Sequence, residues 1–136
     1  MNQAEVEAYV EGLDNIQREE AYGYVFFFVG ADHLLPFVTL ANTDQEFDKV
    51  SNLSRPGVFR INIGVSRETY QKLIGEPAPE AVDYTLLNVF LPHPEYSRQH
   101  FICILNPSGD NVEKTKNLIV EAHSLAAARL QRKTEK

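Results

Sequence analysis

Two polar side chains, Arg60 and Asn62, interrupt an otherwise apolar run in RPGVFRINIGVS, residues 55–66. In an extended chain alternate residues face opposite sides. Arg60 and Asn62 therefore share a face with Val58 and Gly64, while Phe59, Ile61, Ile63 and Val65 share the other. A guanidinium on an interior strand has to be paired or line something, because an unpaired buried charge is costly. Its planar fork suits a carboxylate or phosphate through two parallel hydrogen bonds, and Asn62 adds a donor and an acceptor. Arg60 and Asn62 thus read either as part of a site for a small anionic ligand or as half of an internal salt bridge, with Glu95 or Asp83 as the carboxylate. Further on, His93 lies between Pro92 and Pro94 in LPHPEYSRQ. The prolines force extended or turn geometry and stiffen the loop. If the domain has a site, the expectation is Arg60 and Asn62 on its floor with His93 or Tyr96 at its rim.

Other chemistries are harder to build from these residues. His33, His93, His100 and His123 stand at no HxxxH or HExxH spacing, so neither a metal nor a cofactor is expected. No serine sits in a GxSxG elbow, and no catalytic triad is assigned. The strand, Gly-containing turn and helix over residues 101–112 resemble a phosphate cradle, but GxGxxG and GK[ST] are absent, and Asp110 would occupy the free amides and repel a phosphate. The lone cysteine, Cys103, lies in the apolar run FICIL and reads as a small buried hydrophobe.

The elements that must position these residues follow from pattern. Asn2 and Glu5 form a capping box ahead of Val6, Tyr9, Val10 and Leu13 at helical spacing, with a charged outer face. YVFFFV, residues 24–29, reads as a strand covered on both sides, with a loop, the partner in a dimer or a ligand over the second side. Gly30, Ala31 and Asp32 turn it into a second strand over residues 34–41, with Pro36 marking an edge or bulge. The polar connection 42–52 offers one helical turn at residues 44–50. Ser66 caps a helix through Tyr70, Leu73 and Ile74 that Gly75 ends before a Pro-rich loop. Residues 82–91 fit a short helix or an irregular segment equally well. HFICIL is the last strand, apolar on both faces and so interior. Asp110 and Glu113 then cap the longest helix, whose inner face runs through Thr115, Leu118, Ile119, Ala122, Leu125 and Ala126; Arg129, Arg132, Lys133 and Lys136 at its end oppose the macrodipole.

At 136 residues the chain is expected to form a single domain with a real core. Glu5, Glu7 and Glu11 stand where a secretion signal would be basic and then apolar, and no apolar run approaches the roughly 18 residues of a membrane span, so a cytoplasmic protein with no membrane partner is expected. The formal charge of −6 argues against nucleic acid, whose non-specific affinity comes mainly from Lys and Arg.

The segments RPGVFRINIGVS and PHPEY, with residues 27–30 and 35–37, resemble an uncharacterised bacterial family, a domain of unknown function with RPGVFR-[LI]-NIGVS and PHP-x-Y motifs. More distantly, HFICIL followed by LIVEAHSLAAARL is similar to the YjbR/MmcQ group. That likeness implies a frataxin-like, YjbR-like sandwich and suggests DNA binding through the open sheet face. The expected fold is α+β, an antiparallel sheet of four to five strands packed on the N- and C-terminal helices. The expected function is a non-catalytic binding or interaction module, monomeric or homodimeric, for a small anionic ligand or a protein. The alternatives are an enzyme using His93 as acid/base with Arg60 as anion clamp, and a DNA-binding module.

Overall fold

The computed structural model describes residues 1–31, 33–75 and 81–134. The Asp32 part of the first turn, the 76–80 part of the Pro-rich loop, and Lys136 lie outside the described residues. Helix α1 (Gln3–Glu11) carries the capping box, with Asn2 Oδ1 accepting from the Glu5 amide at 2.9 Å and Glu5 Oε1 accepting from the Asn2 amide at 3.0 Å. Strands β1 (Ile16–Ala21), β2 (Tyr24–Val29), β3 (Val38–Ala41) and β4 (Arg60–Gly64) follow, then α2 (Arg67–Leu73), β5 (Leu91–Pro92), β6 (Phe101–Leu105) and α3 (Asp110–Thr134). The strands form one antiparallel sheet in the order β1-β2-β3-β4-β6-β5. The fold is therefore α+β, with six strands rather than four or five.

The two additional strands are those with no apolar alternation. β1 is exposed almost throughout and carries Gln17 with the charged Arg18, Glu19 and Glu20, and those charges blunt a sheet edge against further pairing. It reaches β2 through Tyr22 (φ 55°) and Gly23 (φ 79°), both left-handed, as a two-residue hairpin turn compatible with strand twist requires. β5 is two residues long, held against Ile102 and Cys103 by the stiffened PHP segment.

Other expectations shift in detail. The strand placed over residues 34–41 begins only at Val38; Leu34 and Leu35 belong to the preceding turn and are exposed. The connection 42–52 has no helical turn; Gln45 and Asp48 instead exchange two backbone hydrogen bonds of 3.0 Å. Asp110 is the first residue of α3 rather than its cap. The segment from Ala81 to the start of β5 is irregular. Ser66 caps α2 as expected, accepting from the Thr69 amide at 3.1 Å, and Gly75 follows it at φ 90°.

The sheet's two faces differ in chemistry. Val25, Phe27, Val38, Leu40, Ile61, Ile63, Ile102 and Ile104 point to one side and form a continuous core with Val6 and Val10 of α1, Tyr70 of α2, and Ile119 and Ala122 of α3. The helices thus cover the face that carries Phe59, Ile61 and Ile63. On the opposite face lie Tyr24, Phe26, Thr39, Arg60, Asn62 and Phe101, overlaid in part by the chain between β3 and β4. Leu53 and Val58 from that chain pack with Ala41 and Leu105 in a second, smaller cluster.

Candidate functional site

Arg60 is 1% exposed, and the second face of β4 holds it within a dense polar network. Its Nε donates to Asn62 Oδ1 at 3.1 Å, and Nη1 donates to Asp48 Oδ1 at 3.1 Å and to Ser51 Oγ at 3.0 Å. Nη2 donates to Asp48 Oδ2, which completes a bidentate pair. Tyr24 Oη donates to the same Asp48 oxygen at 2.6 Å, and Asn62 Nδ2 donates to Thr39 Oγ1 at 2.8 Å. The carboxylate that pairs Arg60 is thus Asp48 from the β3–β4 connection. Glu95 is exposed, and Asp83 accepts from Thr85.

The electrostatics follow from that pairing. Burial raises the Asp48 carboxyl, but hydrogen bonds from Arg60 and Tyr24 with the guanidinium charge outweigh it and hold the group below its ordinary value. Burial also works against the charged Arg60, and Asp48 more than compensates. Tyr24 is pushed well above the usual phenol value by burial and by its bond to Asp48. The floor is therefore a charge-neutral pair in which the guanidinium already has its anion.

His93 is 8% exposed and sits between β5 and the turn that leads to β6. Its Nδ1 accepts from the backbone amides of Glu95 and Tyr96, both at 3.0 Å. A nitrogen that accepts two hydrogen bonds carries no proton, so the neutral ring bears its proton on Nε2. Burial, reinforced by the positive charge of Arg60, lowers the imidazole to about 4. Nε2 has no protein hydrogen-bond partner among the described residues but stays open to solvent at the cleft; the buried side-chain polar atom left without a partner among them is Thr115 Oγ1. Tyr96 is 52% exposed, its ring centroid 5.0 Å from that of His93 and 6.4 Å from that of Phe101.

All four residues singled out from sequence, Arg60, Asn62, His93 and Tyr96, line one cleft of about 510 Å³. Sequence reasoning missed the rest of it. Tyr24 and Phe26 form a wall, Tyr22, Leu34, Leu35 and Phe47 form the rim, and Asp48 lies beneath. A buried arginine signals that a carboxylate is near, but Asp44, Glu46 and Asp48 all lie in the polar connection and spacing does not choose among them. The aromatic run YVFFFV was the visible signal for the wall. Its second face is covered by His33, stacked on Phe28 at 4.3 Å, and opens into the cleft at Tyr24 and Phe26.

Floor depth depends on Gly64. A Cβ there would stand 2.8 Å from Phe101 Cζ, so any side chain at position 64 displaces that ring. Other candidate groups lie elsewhere. His33 bonds Glu19 and Gln17 on β1, and His123 Nε2 bonds the Asp14 carbonyl at 2.7 Å. Cys103 is buried under β5, and burial pushes its thiol up to about 12, far from a reactive thiolate. No group of three His, Cys, Asp or Glu placed to hold a metal occurs among the described residues, nor does a helix long and apolar enough to cross a membrane.

No curated protein and no solved structure matches the chain. A family model matches residues 1–135, nearly the whole sequence, and the chain belongs to that family, a family of unknown function designated DUF6194.

Proposed function

We propose that this domain is a non-catalytic binding module that takes a small molecule in the cleft on its open sheet face. The carrying observation is the composition of the rim: Tyr22, Leu34, Leu35, Phe47 and Tyr96 are each between 49% and 79% exposed, and all line one concavity. Exposed apolar side chains scattered singly need no explanation, but gathered round a cleft with a few fixed polar groups they have the make-up of a ligand pocket. The chemistry of His93 supports binding over turnover. With Nδ1 held by two amides and the proton on Nε2, the ring offers no free lone pair to a substrate proton, and near neutral pH it holds no extra proton to give.

DNA binding, which the YjbR-like resemblance suggests, would need a positive open face. Arg60 is buried against Asp48, and Arg18 at the sheet edge is ringed by Glu7, Glu11 and Glu20. A cytoplasmic location accords with the single buried thiol. The test is a screen of neutral one- and two-ring aromatic fragments at millimolar concentration, read by backbone amide chemical shifts. Shifts should concentrate on residues 22–26, 47–48 and 93–101, and should vanish in Gly64→Ala, whose new methyl lifts Phe101 into the cleft. A screen in which no fragment moves those amides, or in which all bind elsewhere, refutes the reading.

A further inference from the structure

Resting on the reading of the cleft as a small-molecule site, we infer that its ligand is an uncharged aromatic compound that accepts a hydrogen bond from His93 Nε2–H. The polar inventory of the cleft leads there. Arg60 and Asp48 neutralise each other, so an anion meets no net positive charge on the floor and would have to displace Asp48 to reach the guanidinium. A cation fares little better: Asp48 is engaged by Arg60 and Tyr24, and Glu95, the other carboxylate lining the cleft, is exposed at its edge where water and salt screen it, so the groups left over on the floor are donors. Those donors are His93 Nε2–H, on a side chain more than nine-tenths buried, and the second Nδ2–H of Asn62, whose first is committed to Thr39.

Nε2–H keeps contact with solvent at the cleft, where water serves it; a ligand that covers this donor without an acceptor leaves it unpaired, which is costly, and one that brings an acceptor completes it. The two amides that fix Nδ1 also fix the ring's direction, so this donor is preorganised. Around it the walls are flat: Tyr24, Phe26 and Phe101 on the sheet, with Tyr96 leaning over His93. Such surfaces favour stacked or edge-on aromatic partners over compact aliphatic ones. Donors on the floor and aromatic walls together select a neutral ring bearing a carbonyl or ring-nitrogen acceptor.

Four naphthalenes of one shape separate the terms: 2-naphthamide, neutral with a carbonyl acceptor; 2-naphthoate, an anion; 2-naphthylmethylammonium, a cation; and 2-ethylnaphthalene, which has no acceptor. Each is titrated into the full chain and followed by amide chemical shifts, with the His93 ring nitrogens observed in parallel. The amide should bind in the cleft about tenfold or more tightly than the other three and move the His93 Nε2 resonance. His93→Asn keeps an acceptor where Nδ1 stood, and so keeps the turn, but removes Nε2–H. In that variant the advantage of the amide over 2-ethylnaphthalene should disappear while apolar binding remains. Equal or tighter binding of the anion or the cation, or an amide affinity unchanged by His93→Asn, overturns the inference and leaves the cleft a binding site. If none of the four moves the cleft amides, the reading of the cleft itself falls, and the inference with it. Should His93→Asn fail to fold, the wild-type His93 Nε2 resonance decides: unmoved by bound 2-naphthamide, it rules the contact out.

Discussion

Replacing Asp48 with alanine is the sharpest probe of how the floor of the cleft is held. The carboxylate accepts from both terminal nitrogens of Arg60, one at 3.1 Å, and from Tyr24 Oη at 2.6 Å. Without it Arg60 retains only Asn62 Oδ1 at 3.1 Å and Ser51 Oγ at 3.0 Å, neutral dipoles that do not balance its charge. The guanidinium cannot escape by losing its proton, and at 1% exposure it is closed off from water. Removing one partner of a buried pair costs about 3–5 kcal/mol, a large part of the roughly 5–15 kcal/mol that holds a domain folded. With a urea m-value of about 2 kcal/mol/M, the midpoint should fall by about 2 M. Circular dichroism during urea unfolding measures this directly. The combined Asp48→Leu, Arg60→Met variant removes both charges and should recover most of the loss, since a buried pair replaced by apolar groups of similar size is often neutral. A cost below about 1 kcal/mol for Asp48→Ala, or a double variant as unstable as the single one, would refute the closed, paired floor.

Two further outcomes follow from burial. Ile61 is fully buried between the sheet and the helices, and Ile61→Ala should cost about 2–5 kcal/mol in the same urea assay; a loss under 1 kcal/mol would mean that the core lies elsewhere. His93 is lowered from 6.5 to about 4 by burial and the Arg60 charge. Between those values the unfolded chain binds a proton on this ring and the folded chain does not, so its contribution is whole above pH 6.5 and is lost as pH falls towards 4. The loss amounts to about 3 kcal/mol. Asp48, held below its ordinary value, adds acid sensitivity only under that window. The slope between pH 6.5 and 4 should flatten in His93→Asn, and an identical slope in both proteins would assign it to other groups.

What could be read from the sequence was whatever a local rule decides. Strict alternation in FRINIG put Ile61 and Ile63 in the core and Arg60 with Asn62 on the other face, because side-chain direction along a strand depends only on position. The caps at Asn2 and Ser66 were visible because they act over three residues. β1 was not, since an exposed edge strand of Gln, Arg and Glu has no apolar rhythm and is a strand only because β2 pairs with it. The same holds for the site. Sequence named Arg60, Asn62, His93 and Tyr96 but could not say that Asp48, twelve residues before Arg60, closes back over the sheet to pair it. Nor could it say that Tyr24 shares that carboxylate, or that the turn at Leu34 and Leu35 supplies the rim. A buried charge dictates that a partner exists; which partner it is depends on how the β3–β4 connection packs on the open face, and only the tertiary structure decides that.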